Sequence, residues 1–489
     1  MIPSTVVCVR RMVCSYIRIT RARFATLTKQ QQLLVAIAFI FILLVYFGYF
    51  NLSKRIYISV LPVDRRSVQK YCNFPVNSNG AEGSIPGRDG DFQLEMVQVL
   101  LRHGDRAPFS KIQGMEIRDL DCSMTPLNDT VKKLFDGYLN VIEDIIVRRM
   151  SSKVVPHNLV TRSEICQYDG QLTKKGFQQL FHIGRHFKTA YSKLIENGIN
   201  NNHVYARSTN TDRTLQSAAA LLYGFLGEKS IKKGHIAISI SQDRFFRDND
   251  DGTVSPCPAY EKLMERTKQS KEYQSGSAAM EPLMLEMSNL LMAPRESIKN
   301  VIGLADACLV HICHGLPSPC TVGGCIPQAT AFKLISYADW AFSHNYSQVA
   351  DMISLPVMSQ IASRMVDKAS SKTPVKFAIY GGHEISIIPA LMSLGIFEQR
   401  WIPYASRLIF EFWKKTGVIN ETKKNQRGYI RVLYNGETVT SNLKFCKKNL
   451  FENGELCPLE DFLRWLGGGR IEEPQKSIQQ QKSKCMTEQ

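Results

Sequence analysis

Three short apolar runs, each ending on a polar cluster, constrain the fold of this chain more than any other feature. The runs cover 94–101, 203–206 and 375–380, and their length and composition predict buried strands. The first ends at Arg102, the second at Arg207, and the third at the sequence Gly-Gly-His-Glu. A helical pattern follows each cluster, so we predict an α/β sheet core flanked by helices. Functional side chains of such folds gather outside the carboxyl ends of the strands.

The helical patterns are regular enough to place. Apolar residues recur at a spacing of three or four over 173–194, 211–225 and 385–394, and Thr173 is a candidate N-cap. The region 244–373 is richer in helix formers and is interrupted by Pro and Gly, which predicts a helical cap subdomain beside the sheet. The whole folded domain is expected to occupy residues 92–466.

The first polar cluster reads Arg-His-Gly-Asp-Arg-Ala-Pro, from Arg102 to Pro108. It places His103 between two guanidinium groups, those of Arg102 and Arg106, whose fork geometry suits phosphate oxygens. A neutral histidine there can attack phosphorus, and Gly104 lets the backbone turn tightly and approach a ligand. A lone Arg-His-Gly is more often a basic surface turn, so the catalytic interpretation depends on the companions of this motif.

Those companions follow the second and third runs. Arg213 falls in the first turn of a predicted helix, where backbone N–H groups also favour an anion. His383 would add a hydrogen-bond donor to the phosphoryl group. Glu384 is the candidate acid, because an alkoxide is a poor leaving group unless it is protonated. We expect neither a metal nor a cofactor, since the arginines can supply the positive charge.

The spacing Arg-His-Gly-x-Arg-x-Pro resembles the signature of the histidine acid phosphatase family. Further stretches are similar to that family in the same order, namely Gly170–Gly176, Arg207–Thr214, Gly382–Glu384 and Cys457–Glu460. The resemblance implies a histidine-phosphatase-like α/β core with a helical cap. It also implies hydrolysis of phosphomonoesters through a phosphohistidine on His103, with Arg102, Arg106, Arg213 and His383 binding the phosphate.

One position departs from the family pattern. Glu384 stands where the family usually has aspartate. The side chain of glutamate is longer by one methylene, which shifts the position of the acidic proton, and small misplacements matter in catalysis. Inositol polyphosphate phosphatases of the same superfamily can use glutamate as the proton donor. Two alternatives to a phosphatase of phosphorylated carbohydrate therefore stay open. One is an acid phosphatase or inositol polyphosphate phosphatase of the secretory pathway. The other is an inactive lumenal protein that binds anionic carbohydrate.

The N-terminal segment predicts a single membrane anchor. Residues 1–32 contain six Lys or Arg and no acidic residue, and residues 33–50 carry no charge. An uncharged run of that length is typical of a transmembrane helix, and the positive-inside bias places the preceding tail in the cytoplasm. A cleaved signal peptide would have a shorter apolar region followed by small residues. We expect a lumenal stem over 51–91 and a disordered tail over 467–489.

Cysteines and glycosylation signals agree with a lumenal domain. N-glycosylation signals stand at Asn128, Asn345 and Asn420. Eleven of the thirteen cysteines lie beyond the apolar segment, where disulfides can persist. Because eleven is odd, one thiol is free or pairs between chains, and we expect it to be Cys485. We also expect a disulfide between Cys446 and Cys457.

Two further features leave alternatives open. The residues Cys308, His311, Cys313, His314, Cys320 and Cys325 offer zinc ligands, but an oxidising lumen favours disulfides over a metal site. The net charge is +17, of which +11 lies beyond the apolar segment. This excess favours phosphorylated or sulfated carbohydrate as the partner and not nucleic acid, although an ordinary solvated basic surface would carry the same charge.

Overall fold

The structure is a computed structural model. The residues that it describes are 28, 30–31, 65–74, 79–87, 90–110, 112–115, 120–123, 129–149, 153–160, 166, 169–248, 253–254, 257–298, 301–416, 428–446, 450–467 and 485.

The chain divides into two compact units, Met1–Leu61 and Pro62–Gln489. The expected anchor at 33–50 and nearly all of the expected cytoplasmic tail fall outside the described residues, as do Asn128, Asn420 and most of the tail after 467. Among the residues that are described, no helix is long and apolar enough to cross a membrane.

Within the described residues, nine strands form one mixed sheet. They are β1 (Phe92–Arg102), β2 (Ile145–Arg149), β3 (Val204–Thr209), β4 (Ile236–Ser241), β7 (Phe377–Gly382), β8 (Arg407–Lys415), β9 (Tyr429–Tyr434), β10 (Glu437–Thr438) and β11 (Cys457–Pro458), and a separate hairpin contains β5 (Cys320–Thr321) and β6 (Gly324–Cys325). The order across the sheet is β10-β9-β8-β1-β7-β3-β4-β2, with β11 paired to β9.

The strands from β1 to β2 in that order are parallel, and β8, β9, β10 and β11 pair antiparallel. The three strands expected from the apolar runs are β1, β3 and β7, and they are direct neighbours. This arrangement is the predicted α/β core.

Helices surround the sheet. In the described part of the chain they are α1 (Arg65–Cys72), α2 (Asp129–Leu139), α3 (Lys174–Ala190), α4 (Ser192–Ile195), α5 (Asp212–Leu226), α6 (Glu228–Gly234), α7 (Pro258–Gln269), α8 (Lys271–Leu290), α9 (Val301–His314), α10 (Gln328–Tyr346), α11 (Ala350–Ala369), α12 (Glu384–Leu394) and α13 (Leu459–Trp465). The Thr173 hydroxyl accepts from the backbone N–H of Gly176 at 3.1 Å, so Thr173 is the N-cap of α3.

Both faces of the sheet are buried, which explains why the strands are apolar without alternation. Val97, Val99 and Leu101 of β1 belong to the core that includes α3 and α5. Met96 and Leu100, which point to the other face, belong to a core formed with the cap helices and α12.

The region expected to form the cap is largely helical between residues 258 and 369. It consists of α7 to α11, interrupted by the β5–β6 hairpin, whose strands are joined by a disulfide between Cys320 and Cys325. The segment before it, residues 242–248, is a loop that follows β4.

Part of the expected stem belongs to the folded domain. Tyr71 and Cys72 of α1 are buried, and Cys72 forms a disulfide with Cys313 at the end of α9. The buried carboxylate of Glu82 lies 2.6 Å from Arg407 of β8. Burial alone would raise the pKa of Glu82, but its bonds to His186 and Arg407 lower the pKa to about 2. The described residues of 65–87 therefore pack against the sheet and the cap.

The disulfides of the described residues correct one expectation. They join Cys72 to Cys313, Cys122 to Cys166, Cys257 to Cys485, Cys320 to Cys325 and Cys446 to Cys457. The pair expected from sequence, Cys446 with Cys457, is present, but Cys485 is bonded to Cys257 and is not the free thiol. The free thiol is that of Cys308, which is buried in α9.

The candidate zinc ligands are largely engaged elsewhere. Three of their four thiols are in disulfides, and burial raises the pKa of the fourth, Cys308, to about 12. His314 lies 2.6 Å from the carboxylate of Asp105. Asn345, the one glycosylation signal within the described residues, is half-buried near the end of α10.

Candidate active site

Three polar clusters meet at one edge of the sheet because β1, β7 and β3 end there side by side. Arg102 is the register partner of Gly382, and Ser208 is the partner of Gly381. The backbone N–H of His103 donates to the carbonyl of Gly382 at 3.0 Å. The polar clusters that the sequence places after β1, β3 and β7 are thus brought together.

His103 is held in one tautomer. Its Nδ1 lies 2.8 Å from the carbonyl oxygen of Gly104, which can only accept, so Nδ1 carries the hydrogen and Nε2 has the free lone pair. Burial, aided by the charges of Arg213 and Arg102, lowers the pKa of His103 to about 3, although Glu384 opposes the shift. The imidazole is therefore neutral, which is the form that can act as a nucleophile.

Gly104 serves a close approach of backbones. A Cβ at Gly104 would lie 2.3 Å from the carbonyl oxygen of Gly176, and one at Gly176 would lie 2.1 Å from that of Asp105. The loop that carries His103 therefore packs directly on the first turn of α3. The N–H of Gly104 also donates to the Ser217 hydroxyl at 3.1 Å, which fixes the loop against α5.

Arg102 is held in place by several acceptors. Its Nε donates to Glu384 at 3.2 Å, its Nη2 to the Tyr71 hydroxyl at 3.2 Å, and its Nη1 to the carbonyl of Ile402. The Tyr404 ring lies 4.5 Å from its guanidinium carbon, so cation–π contact adds to the hydrogen bonds.

Arg106 is oriented by the cap. Its Nη1 lies 2.9 Å from the carboxylate of Asp306 in α9. Both groups are almost fully buried, and the Nε of Arg106 has no hydrogen-bond partner in the described part of the chain. A buried N–H without a partner is costly, and an anionic oxygen would satisfy it.

Arg213 has the same property. Its Nε also finds no partner within the described residues. Burial, followed by the neighbouring charge of Arg106, lowers the pKa of Arg213 to about 10. A phosphate dianion bound here would be stabilised by all three guanidinium groups.

His383, the expected phosphate donor, contacts other side chains through both ring nitrogens in this structure. The Nη2 of Arg213, which can only donate, lies 3.4 Å from its Nδ1, so Nε2 carries the hydrogen and donates to the Thr209 hydroxyl at 2.9 Å. Both ring nitrogens are then engaged. Burial and the charge of Arg213 hold the pKa of His383 well below its usual value. In this geometry His383 orients Arg213.

Glu384 is the first residue of α12 and faces His103. Its Oε2 lies 3.6 Å from Nε2 of His103. Burial would raise the pKa of Glu384, but the charges of Arg102 and Arg106 hold it well below its usual value. Glu384 is thus ionised in this state and must gain a proton before it can protonate a leaving group.

Sequence reasoning missed two residues of this site, Tyr71 and Asp306. Tyr71 is a buried aromatic residue outside any motif, and no local pattern marks it. Asp306 had a signal, because it is the lone acidic residue in the apolar helix α9. A buried carboxylate in such a helix needs a buried partner, which here is Arg106.

A neutral histidine surrounded by buried arginines at the carboxyl edge of an α/β sheet defines an enzyme that handles phosphate groups. The chain belongs to the histidine phosphatase superfamily (branch 2), whose family model matches residues 93–435. It has the α/β fold of that superfamily and is a phosphoric monoester hydrolase.

Named relatives agree with this class. The chain is 29% identical to 2-phosphoxylose phosphatase 1 of Xenopus tropicalis over 404 residues, which cover 80% of this chain and 77% of that protein. It is 26% identical to lysosomal acid phosphatase of Homo sapiens over 331 residues, which cover 65% of this chain and 74% of that protein. A solved structure, the multiple inositol polyphosphate phosphatase of Bifidobacterium longum in complex with phosphate, aligns with a TM-score of 0.49 at 12% identity and covers 78% of this chain and 94% of that one.

Proposed function

We propose that the protein removes the 2-phosphate from xylose in the glycosaminoglycan–protein linkage region, through a phosphohistidine on His103. The observation that carries the chemistry is the free lone pair on Nε2 of a neutral, buried His103, next to guanidinium N–H groups without partners. The substrate rests on similarity to relatives named 2-phosphoxylose phosphatase 1, from Xenopus tropicalis at 29% identity and from Homo sapiens at 27%.

The mechanism follows from the positions of these groups. Nε2 of His103 attacks phosphorus while the bond from phosphorus to the ester oxygen breaks, and Arg102, Arg106 and Arg213 hold the three other oxygens. Protonated Glu384 gives its proton to the departing oxygen. Water then attacks the phosphohistidine, Glu384 takes a proton from that water, and inorganic phosphate leaves with His103 neutral again.

The proposal includes a place in the cell. A signal anchor at 33–50 would make this a single-pass type II protein of the Golgi membrane, with its catalytic domain in the lumen. There it would act on linkers during proteoglycan synthesis and could associate with the glycosyltransferases that build them. The anchor lies outside the described residues, so its support is the sequence pattern alone.

The first experiment separates a hydrolase from a binder. The full-length protein in detergent is assayed on a phosphomonoester beside His103→Ala and a matched control, His182→Ala, which alters an exposed histidine of α3. We expect activity in the wild type and the control and its loss in His103→Ala. Acid-labile phosphate on the wild type during turnover would support the intermediate, whereas equal inactivity of all three would leave only the binding protein.

The second experiment addresses the substrate. Lysosomal acid phosphatase is also a relative, and Glu384 is the residue that favours an inositol polyphosphate. The wild type is therefore assayed on a phosphorylated linkage tetrasaccharide, inositol hexakisphosphate and p-nitrophenyl phosphate. We expect the highest kcat/KM with the tetrasaccharide, and accumulation of 2-phosphorylated xylose in cells without the protein. Preference for inositol hexakisphosphate would overturn the assignment.

A further inference from the structure

The loop 242–248, between β4 and the cap, is rigid on its outer side. Arg247 forms a two-pronged ion pair with Asp243, with Nε to Oδ2 at 2.9 Å and Nη2 to Oδ1 at 3.1 Å. The same guanidinium lies over the rings of Phe245, at 5.2 Å, and Tyr260, at 5.4 Å. Arg247 is therefore committed to holding the loop to the cap.

The inner side of this loop contains a residue with a strained backbone. Phe246 has φ +59°, in the left-handed region that bulky residues avoid, and its ring is fully buried. Its carbonyl accepts from Gln360 at 2.9 Å, and a Cβ at Gly382 would lie 3.1 Å from its ring. Such strain persists only where surrounding contacts enforce it, and it clusters at functional sites.

Arg244 is the residue that this loop presents to the site. Its carbonyl accepts from the Ser386 hydroxyl at 2.6 Å, and that hydroxyl accepts from the N–H of His383 at 3.1 Å. The Ser386 hydroxyl thus ties the carbonyl of Arg244 to the first turn of α12. The charge of Arg244 contributes, after burial and nearer charges, to lowering the pKa values of Arg213 and His383.

The side chain of Arg244 is exposed, unlike those of Arg102, Arg106 and Arg213, the three arginines that form the phosphate clamp. Among the described residues no carboxylate lies within ion-pair distance of it, whereas the neighbouring Arg247 is paired. Arg244 is thus an exposed cation beside the clamp, without an ion-pair partner in the described part of the chain, in a loop whose backbone is fixed and strained at Phe246. These features distinguish it from an ordinary solvated arginine.

We propose that Arg244 is a specificity residue that binds a second anionic group of the substrate, a carboxylate or phosphate beyond the reacting phosphomonoester. The inference rests on the proposed hydrolase function and deepens it. Arg244 does not touch the reacting atoms and acts on binding. It selects phosphorylated carbohydrates that carry more than one negative charge.

The test compares two sugar phosphates of matched length, sorbitol 6-phosphate and 6-phosphogluconate, which differ by a terminal carboxylate. The full-length wild type is assayed beside Arg244→Gln, Arg244→Lys and the control Arg185→Gln, which removes an exposed arginine of α3. Loss of a charge-assisted hydrogen bond should raise KM for 6-phosphogluconate about tenfold in Arg244→Gln. KM for sorbitol 6-phosphate should rise about threefold at most, since only long-range attraction is lost.

The remaining outcomes decide between the two proposals. We expect Arg244→Lys to recover part of the preference, Arg185→Gln to match the wild type, and kcat to change little in any variant. An equal rise in KM for both substrates, or no preference in the wild type, would overturn the role of Arg244. If the wild type hydrolyses neither compound, calorimetric dissociation constants for the same pair still report whether Arg244 discriminates between them, and the hydrolase proposal is decided separately by the linkage tetrasaccharide.

Discussion

At the residue scale, the protonation of His103 and Glu384 determines when the site can react. The free site holds His103 neutral and Glu384 ionised. A bound phosphate dianion would compete with Glu384 for Arg102 and would repel its carboxylate. Both effects raise the pKa of Glu384. Substrate binding and proton uptake should therefore be coupled, so that the clamp prepares the acid for the step in which it is needed.

This coupling predicts an acid pH optimum and a difference between the pH profiles of kcat and kcat/KM. His103 is deprotonated above its pKa of about 3, so the nucleophile is available over the working range. Glu384 must be protonated, and that form is lost as pH rises through its pKa. Because kcat reports the complex and kcat/KM the free enzyme, the falling limb of kcat should lie at higher pH than that of kcat/KM. Coincident limbs across full pH profiles would contradict the coupling.

The leaving group provides a separate test of Glu384. Glu384→Gln keeps the size of the side chain but cannot donate a carboxyl proton, so kcat for an alkyl phosphate should fall by about 10²–10⁴-fold. The loss should be much smaller for p-nitrophenyl phosphate, whose leaving group needs no proton. Glu384→Asp, which restores a carboxyl group, is the control and should retain more activity on the alkyl ester. Equal losses on both esters would exclude the acid role.

At the scale of single elements, the helix α3 sets the position of the loop that carries His103. Its N-cap, Thr173, donates to the carboxylate of Asp105 at 2.5 Å as well as capping the helix. The glycine pair, Gly104 and Gly176, lets the loop and the helix touch without side chains between them. The loop and α3 therefore move as one unit, and a side chain inserted between them would displace His103.

We accordingly predict that Gly176→Ala damages both stability and activity. The new methyl group would meet the carbonyl oxygen of Asp105 at 2.1 Å, and a clash with backbone cannot be relieved by a rotamer change. Overpacking of this kind costs about 1–3 kcal/mol of unfolding free energy. Gly234→Ala is the control, since its Cβ would lie 3.6 Å from Asn201. Thermal unfolding and kcat/KM measure both effects, and a Gly176→Ala protein like the control would refute the packing argument.

The sequence indicates elements better than the contacts between them. The apolar runs locate β1, β3 and β7, and capping chemistry locates the start of α3, because both signals are local. The reason for Gly104 is not local. Sequence suggests a tight turn near a ligand, whereas the structure shows a close approach to Gly176, which lies more than seventy positions further along.

At the scale of the whole molecule, the site depends on segments that no motif contains. Asp306 comes from the cap, 200 residues beyond the arginine that it pairs with. Tyr71 comes from α1, within the part of the sequence expected to be a stem. Neither contact can be predicted from pattern, because each depends on how the cap and α1 pack on the sheet. The loop that carries His103 is thus enclosed by groups from α1 and from the cap.

The disulfide between Cys72 and Cys313 joins those two segments, which leads to a prediction about the whole domain. Removing a cross-link across 241 residues should cost about 2–5 kcal/mol, because the unfolded chain gains freedom. Tyr71, the residue before Cys72, accepts a hydrogen bond from Arg102 through its hydroxyl. Cys72→Ser with Cys313→Ser should therefore lower kcat/KM as well as Tm. Cys320→Ser with Cys325→Ser, which opens a separation of 5 residues, is the control and should affect Tm less and kcat/KM little. If the two double variants lose activity equally, α1 does not position Arg102 through this bond, and the contacts of Arg102 with Glu384 and Ile402 are sufficient.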